Sequence, residues 1–183
     1  MVLVGHSFGT VLGVRIAERA AEQVSAYVGA AQVANWALQE ERSYDWAVDE
    51  ARRSGNRKAQ TALEQIGRPV AGQYASGTSG VKTQRRWVGT LGGVAADPRF
   101  VPRWALSVFT SRGYPLSAKL RYLKAMDRSM DLLWPHLCAE VDLRREVVAL
   151  PVPVYLFAGQ QDRITDLAQI QEWFAACRAR PNT

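Results

Sequence analysis

The sequence predicts an α/β fold: parallel strands with flanking helices, interrupted by a long and mainly helical insertion. Three observations lead there. An apolar, β-branched run at Met1-Val-Leu-Val ends at Gly5 and is followed at once by a helix-forming stretch. A second short apolar run, Ser25–Ala31, follows that helix, so strand, helix and strand fit within about 30 residues, as a parallel βαβ unit requires. Strand character then disappears for more than 100 residues and returns at Val152–Ala158.

Taken in order, Met1–Val4 has the uniform hydrophobicity of a strand buried on both faces. Phe8–Ala21 carries apolar residues at Val11, Leu12, Ile16 and Ala20, a spacing near the helical period. Asn35 is a suitable N-cap for a helix over Trp36–Arg53, with Tyr44, Ala47, Val48 and Ala51 on one face. Ser54-Gly55-Asn56 stops it, and Arg57–Ile66 follows as a second helix closed by Gly67. Residues 67–97 are rich in Gly, Ser and Thr and predict loop, with Trp87 and Leu91 as local anchors. Asp97-Pro98 has the form of a cap followed by a first-turn proline. Ser117 opens the clearest helix, with Leu120, Leu123, Met126, Met130 and Leu133 as an apolar stripe for core or lid packing. After the returning strand comes a turn at Gln160-Gln161-Asp162. Asp166 then caps a last helix, Leu167–Arg178, with Ile170, Phe174 and Cys177 inward. Residues 1–35 and 146–183 thus form the sheet-bearing core and 36–145 a helical cap.

The 183 residues carry a formal net charge of +6, and of 23 basic residues only Lys58, Lys82, Lys119 and Lys124 are lysine. The arginines stand singly or in pairs with no basic run, so nucleic acid is not the expected partner. No apolar run approaches the roughly 20 residues that cross a bilayer. Cys138 and Cys177 have no metal-binding spacing and are expected as reduced thiols. No basic segment precedes Val2-Leu3-Val4, and the expected location is the cytoplasm. No metal or cofactor motif occurs.

Gly5-His6-Ser7-Phe8-Gly9 carries the chemistry. A G-x-S-x-G sequence between an apolar strand and an amphipathic helix has the context of a nucleophile elbow. The turn is tight enough to strain the serine, and side chains on the flanking glycines would clash. The helix that follows aims its free N–H groups and positive dipole end at the reacting centre. The Phe8 N–H is then placed to stabilise an oxyanion. A serine hydroxyl also needs a base oriented by an acid. Asp162, just after a later parallel strand, is the candidate acid on the same carboxyl edge of the sheet as Ser7; its alternative is a turn aspartate bonding to its own backbone. Asp166 fits a helix cap better. The only histidines are His6, which should point away from the Ser7 hydroxyl, and His136, inside the insertion. Neither follows the acid in the chain, as the order Ser, acid, His requires.

The elbow Val2–Gly13 and the acid strand Pro151–Thr165 resemble the α/β-hydrolase superfamily. The region between resembles its capped, proline-iminopeptidase-like branch through Ala26-Tyr-Val-Gly-Ala-Ala-Gln, Glu41-Arg-Ser-Tyr-Asp-Trp-Ala, Gly55-Asn-Arg-Lys-Ala and Ala62-Leu-Glu-Gln-Ile-Gly. Trp134-Pro135 and Val141-Asp-Leu-Arg-Arg-Glu-Val extend the likeness over nearly the whole chain. The resemblance implies a partial α/β-hydrolase fold and metal-free hydrolysis of a small ester or amide, an N-terminal proline in the named enzymes. It implies Ser7 as nucleophile, Asp162 as triad acid and the Phe8 N–H as one oxyanion donor. The family's strands before the elbow, with their second oxyanion donor, and its last strand with the catalytic histidine have no counterpart here. The expected chain is therefore the middle and cap of a longer hydrolase, inactive alone and prone to self-association through the exposed strand Met1–Val4. A non-catalytic binding module remains the alternative. Glu40, Glu41 and Glu50 could hold a substrate ammonium but are expected as solvated helix charges.

Overall fold

The computed structural model describes residues 1–95, 97, 99–146 and 149–178. Three parallel strands, β1 (Val2–His6), β2 (Ala26–Ala30) and β3 (Val154–Phe157), form one sheet in the order β1-β2-β3. Helix α1 (Phe8–Arg19) and a 3-10 turn at Ala21–Gln23 connect the first two strands. Between β2 and β3 lie α2 (Trp36–Arg53), α3 (Arg57–Ile66), α4 (Thr78–Thr90), α5 (Phe100–Thr110), α6 (Leu116–Glu140) and the short α7 (Leu143–Glu146). Helix α8 (Leu167–Arg178) follows β3. The architecture is α/β, with a helical insertion in a parallel sheet.

The sheet register aligns Val4 with Val28 and Val28 with Tyr155, and His6 with Ala30 and Ala30 with Phe157. Side chains alternate along a strand, so these residues share one face. That face is open: Val2, Val4, Tyr155 and Phe157 are each more than half exposed. The opposite face carries the core, with Tyr27 fully buried against α1. The two-sided burial suggested by the uniform hydrophobicity of Met1–Val4 is not found, while its expected place as an exposed edge strand is: β1 lies at the sheet edge with one face uncovered.

Helix α1 rotates accordingly. Its buried stripe is Thr10, Val11, Gly13, Val14 and Ala17, while Leu12 and Ile16 face away from the core. The helix is apolar on most sides, so periodicity alone does not fix which side is covered. Gly13 decides it: a Cβ there would lie 2.6 Å from Tyr27 Cε2, so the smallest residue marks the closest approach to the sheet.

The insertion begins as expected. Asn35 Oδ1 accepts from Leu38 N at 2.7 Å and caps α2, and Asn56 Oδ1 does the same for α3 through Ala59 N at 3.1 Å. Gly67 closes α3 at φ 70°. Residues 78–90 correct the loop expectation for 67–97: they form α4, which buries Gly80, Val81, Gln84 and Val88. Here packing overrides weak helix propensity. A Cβ on Gly80 would fall 2.6 Å from Tyr74 Cβ, so a glycine that weakens the helix locally also lets it seat.

Helix α5 starts at Phe100; Asp97 Oδ1 accepts from Arg99 N at 2.8 Å, and Pro98 lies outside the described residues. Helix α6 starts one residue early and contains Pro135. Of its predicted stripe, Leu120, Met126 and Leu133 are exposed and Met130 is half-buried; Trp134 and Cys138 are the buried positions, and the Leu123 side chain lies outside the described set. In α8 the buried anchors are Ile170 and Trp173, with Phe174 and Cys177 half-buried; residues 179–183 are outside the described set. The two ends of the insertion lie side by side, with Leu143 N donating to Ala34 O at 2.8 Å and Trp36 N to Val141 O at 3.1 Å. No helix is long and apolar enough to cross a membrane among the described residues.

The Tyr27 hydroxyl joins the two halves of the βαβ unit: it lies 2.7 Å from Gln32 Oε1 and 3.2 Å from Thr10 O. Both partners are acceptors that burial cuts off from water. Tyr27→Phe should therefore cost about 1–2 kcal/mol of unfolding free energy, measured by urea denaturation, because an acceptor is left unpaired.

Candidate active site

Strand β1 and helix α1 meet at Ser7, whose backbone sits at φ 51° and ψ −123°. This is a sparsely populated conformation for a residue with a side chain, with a typical strain of about 1–3 kcal/mol. Two backbone contacts hold it: Ser7 N donates to Ala30 O at 3.0 Å, and Ser7 O accepts from Thr10 N at 2.9 Å. Thr10 Oγ1 donates to the same carbonyl at 2.6 Å, and itself accepts from Val33 N at 3.1 Å. Ser7 occupies the N-cap position without capping, and its hydroxyl has no hydrogen-bond partner among the described residues. It is a free hydroxyl on a rigid backbone.

The flanking glycines differ. A Cβ on Gly5 would come within 2.7 Å of Gly9 O and 2.9 Å of Thr10 Cα, backbone atoms that cannot move aside cheaply. A Cβ on Gly9 would meet nothing within 4 Å. The steric need expected at both flanks therefore holds at Gly5 and fails at Gly9. Phe8 is the first residue of α1, where a backbone N–H has no intrahelical acceptor. That amide and the helix dipole lie beside the serine.

Ser7 opens on a cavity of about 300 Å³ between the sheet's carboxyl edge and the insertion. Phe8, Trp36, Met126, Met130, Leu133 and Ile164 give it apolar walls. Phe8 and Trp36 rings meet edge to face at 6.3 Å, and Trp36 meets Trp134 at 5.5 Å. Part of the α6 stripe thus lines a cavity, which explains why Met126 and Leu133 are exposed. A cavity of about 640 Å³ between α5 and α6 contains none of the predicted site residues.

Asp162 lies after β3, at the same edge of the sheet as Ser7, but lines the neighbouring cavities and not the one at Ser7. Its Oδ1 accepts from Ile164 N at 2.8 Å and Thr165 N at 3.1 Å, and its Oδ2 from Thr165 Oγ1 at 2.6 Å. These are local turn bonds, the alternative reading of this residue; they also fix the carboxylate while leaving lone-pair capacity on Oδ2. Asp166 caps α8 by accepting from Ala168 N at 3.0 Å and pairs with Arg42. His6 lies exposed on the open sheet face with Val2 and Val4. His136 is exposed on α6, its Nδ1 3.5 Å from Glu140 Oε1. Neither histidine lines the Ser7 cavity.

The acidic residues of α2 part company. Glu41 and Glu50 are partly exposed and pair with Arg68 and Arg53. Glu40 is fully buried, which overturns its expectation as a solvated charge. It bonds bidentately to Arg85 of α4, with NH1 to Oε1 at 3.1 Å, and accepts from the Tyr74 hydroxyl at 2.9 Å. Burial, with the Glu40 charge beside it, pushes the Tyr74 phenol up. Arg85 lines the Ser7 cavity and stacks 5.6 Å from the Trp134 ring. Glu40 shares a helix face with Tyr44, Ala47 and Ala51, so its burial was written in the spacing; Arg85 falls in a segment taken for loop. Cys138 is reduced, and burial followed by the nearby Glu40 charge pushes its thiol up to about 12, so it is no rival nucleophile. Among the described residues, no group of three or more His, Cys, Asp or Glu converges for a metal.

No family model matches the chain, and comparisons with curated proteins and with solved structures gave no match.

Gly5→Ala should destabilise the fold by about 1–3 kcal/mol through overpacking against the α1 backbone. Gly9→Ala should be neutral or stabilise by up to about 1 kcal/mol, because alanine is the better helix former. Parallel thermal and urea unfolding of the two variants checks the contrast.

Proposed function

We propose that this chain carries the nucleophile, the acid and one oxyanion donor of a capped α/β-type serine hydrolase acting on a small ester or amide. The observation that carries the reading is Ser7: a strained serine with a free hydroxyl at a strand-to-helix turn, facing an apolar cavity. The resemblance to the α/β-hydrolase superfamily and its proline-iminopeptidase-like branch agrees with it.

In this reading Ser7 Oγ attacks the carbonyl carbon as its proton passes to a base. The Phe8 N–H steadies the negative oxygen of the tetrahedral intermediate. Collapse expels the alcohol or amine, protonated by the same base, and leaves an acyl-serine that water then hydrolyses. Asp162 would orient and charge-balance that base. The base itself is the missing part. His6 faces the open side of the sheet and His136 faces solvent, so these residues alone are not expected to turn over. That same feature favours a second reading, a hydrolase-like binding module without catalysis. We place the protein in the cytoplasm, with Cys138 and Cys177 reduced.

A fluorophosphonate probe should label Ser7 in the full product of the reading frame that contains this chain, and Ser7→Ala should abolish the label. A well-folded product that stays unlabelled excludes the hydrolase and leaves the binding module.

Strand β1 is also the proposed self-association surface. Met1, Val2 and Val4 are each at least 60% exposed, and the edge has no lysine, proline or bulge to discourage pairing. Size-exclusion chromatography should show association, and Val2→Lys with Val4→Lys should shift the chain toward monomer without loss of secondary structure. An unchanged elution volume in the double variant would refute this use of β1.

A further inference from the structure

Among the described residues, the Ser7 cavity has one charged wall residue, Arg85. Glu40 and Arg85 form an ion pair, yet they do not face the cavity equally. The Glu40 side chain is 1% exposed and Arg85 23%, and only Arg85 lines the cavity. The carboxylate is buried behind the guanidinium and occupied by Arg85 and the Tyr74 hydroxyl. Among the described residues no Asp or Glu lines this cavity.

A guanidinium has five N–H donors. Arg85 directs two from NH1, to Glu40 Oε1 and Gln84 Oε1, and one from NH2, to Glu40 Oε2. Two N–H groups remain, one on NH2 and one on Nε. The guanidinium carbon lies 5.6 Å from the Trp134 ring centroid, and Gln84, itself fully buried, accepts from Arg85 NH1 while donating to Ser43 Oγ at 2.7 Å. Arg85 lines this apolar cavity and a second one beside Arg86 and Asp97, and a donor pair of this kind suits a carbonyl or carboxylate oxygen. An ammonium would find only the neutral oxygens of Ser7, Gln39 and Ser129 here, with no carboxylate among the described lining residues, and would lie near a guanidinium.

We propose that the Ser7 cavity binds an apolar acyl or aryl group bearing a hydrogen-bond acceptor, neutral or anionic, which Arg85 reads, and that it rejects a substrate ammonium. The proposal rests on the hydrolase reading only for the identity of the scissile bond; the binding preference stands without catalysis. Glu40 is the positioning residue: it neutralises and orients Arg85 without touching the ligand. Within the hydrolase reading this selects an ester or neutral amide over the free amino terminus of a peptide.

The test is calorimetric titration of the full-length protein with 4-phenylbutyrate, 4-phenylbutanamide and 4-phenylbutylamine, matched in apolar body and different in end group. Carrying it out in Ser7→Ala separates binding from chemistry, so a failed label at Ser7 and a failed preference here are distinct results. The carboxylate and the amide should each bind at least tenfold more tightly than the ammonium, in wild type and in Ser7→Ala. Replacing the pair together, Glu40→Gln with Arg85→Met, should bring the three affinities within about threefold of one another. Ser129, exposed on α6 and lining the same cavity, provides a variant that does not disturb the buried pair. Ser129→Asp should reverse the order in favour of the ammonium. Equal or tighter binding of the ammonium by wild type overturns the proposal, as does the absence of saturable binding by all three ligands. An unchanged preference in Ser129→Asp would place the ligand elsewhere and overturn it too.

Discussion

Everything at the sheet's carboxyl edge depends on one backbone residue held where side-chain-bearing residues rarely go. Ser7 reaches φ 51° because β1 pairs with β2 up to its last residue, and Ser7 N then donates to Ala30 O. On the other side, the Thr10 amide and hydroxyl both grip Ser7 O, and Thr10 is in turn fixed by the Val33 amide. The strain is therefore borne by a small network of strand and helix bonds. Gly5 makes that network possible, since a larger residue would strike the first turn of α1. Relax any of these and α1 loses its angle to the sheet, the Phe8 amide loses its aim, and the cavity floor moves.

The insertion completes the site from above. Its two ends are stitched together between Ala34, Trp36, Val141 and Leu143, so α2 leaves the sheet and α6 returns to it at nearly one point. Trp36 meets both Phe8 and Trp134 edge to face, and the Arg85 guanidinium lies over the Trp134 ring. This row connects the elbow to the Glu40–Arg85 pair through packed rings. Breaking a buried pair by removing one member typically costs about 3–5 kcal/mol, because the other charge is left stranded. The pair thus has a structural duty, joining α2 to α4.

The sequence made some of this legible and concealed the rest for identifiable reasons. Strand, turn and helix at the elbow were readable because glycine, serine and the apolar run each impose a local constraint. Asn35 and Asn56 announced the starts of α2 and α3 by their capping chemistry. Helix α4 was not readable: its Gly, Ser and Thr residues look like loop, and only contact with Tyr74 and the α2 face shows why they are helical. The rotation of α1 was hidden because Leu12 and Ile16 are as apolar as Val11 and Val14. The pairing of Glu40 with Arg85 joins residues far apart in the chain, and local spacing could reveal its burial but not its partner.

Asp162 shows how position and chemistry can separate. It lies after the strand and at the edge where a triad acid is expected, yet its oxygens are engaged with Ile164 and Thr165 of its own turn. An acid that orients a histidine must itself be oriented, and backbone N–H bonds to Oδ1 serve that end. Oδ2, bound only by the Thr165 hydroxyl, retains an acceptor site. A hydroxyl can rotate away at the cost of one hydrogen bond, whereas two backbone donors cannot. The turn therefore holds one oxygen of Asp162 fixed and leaves the other available, which is the division of labour that a histidine partner would require.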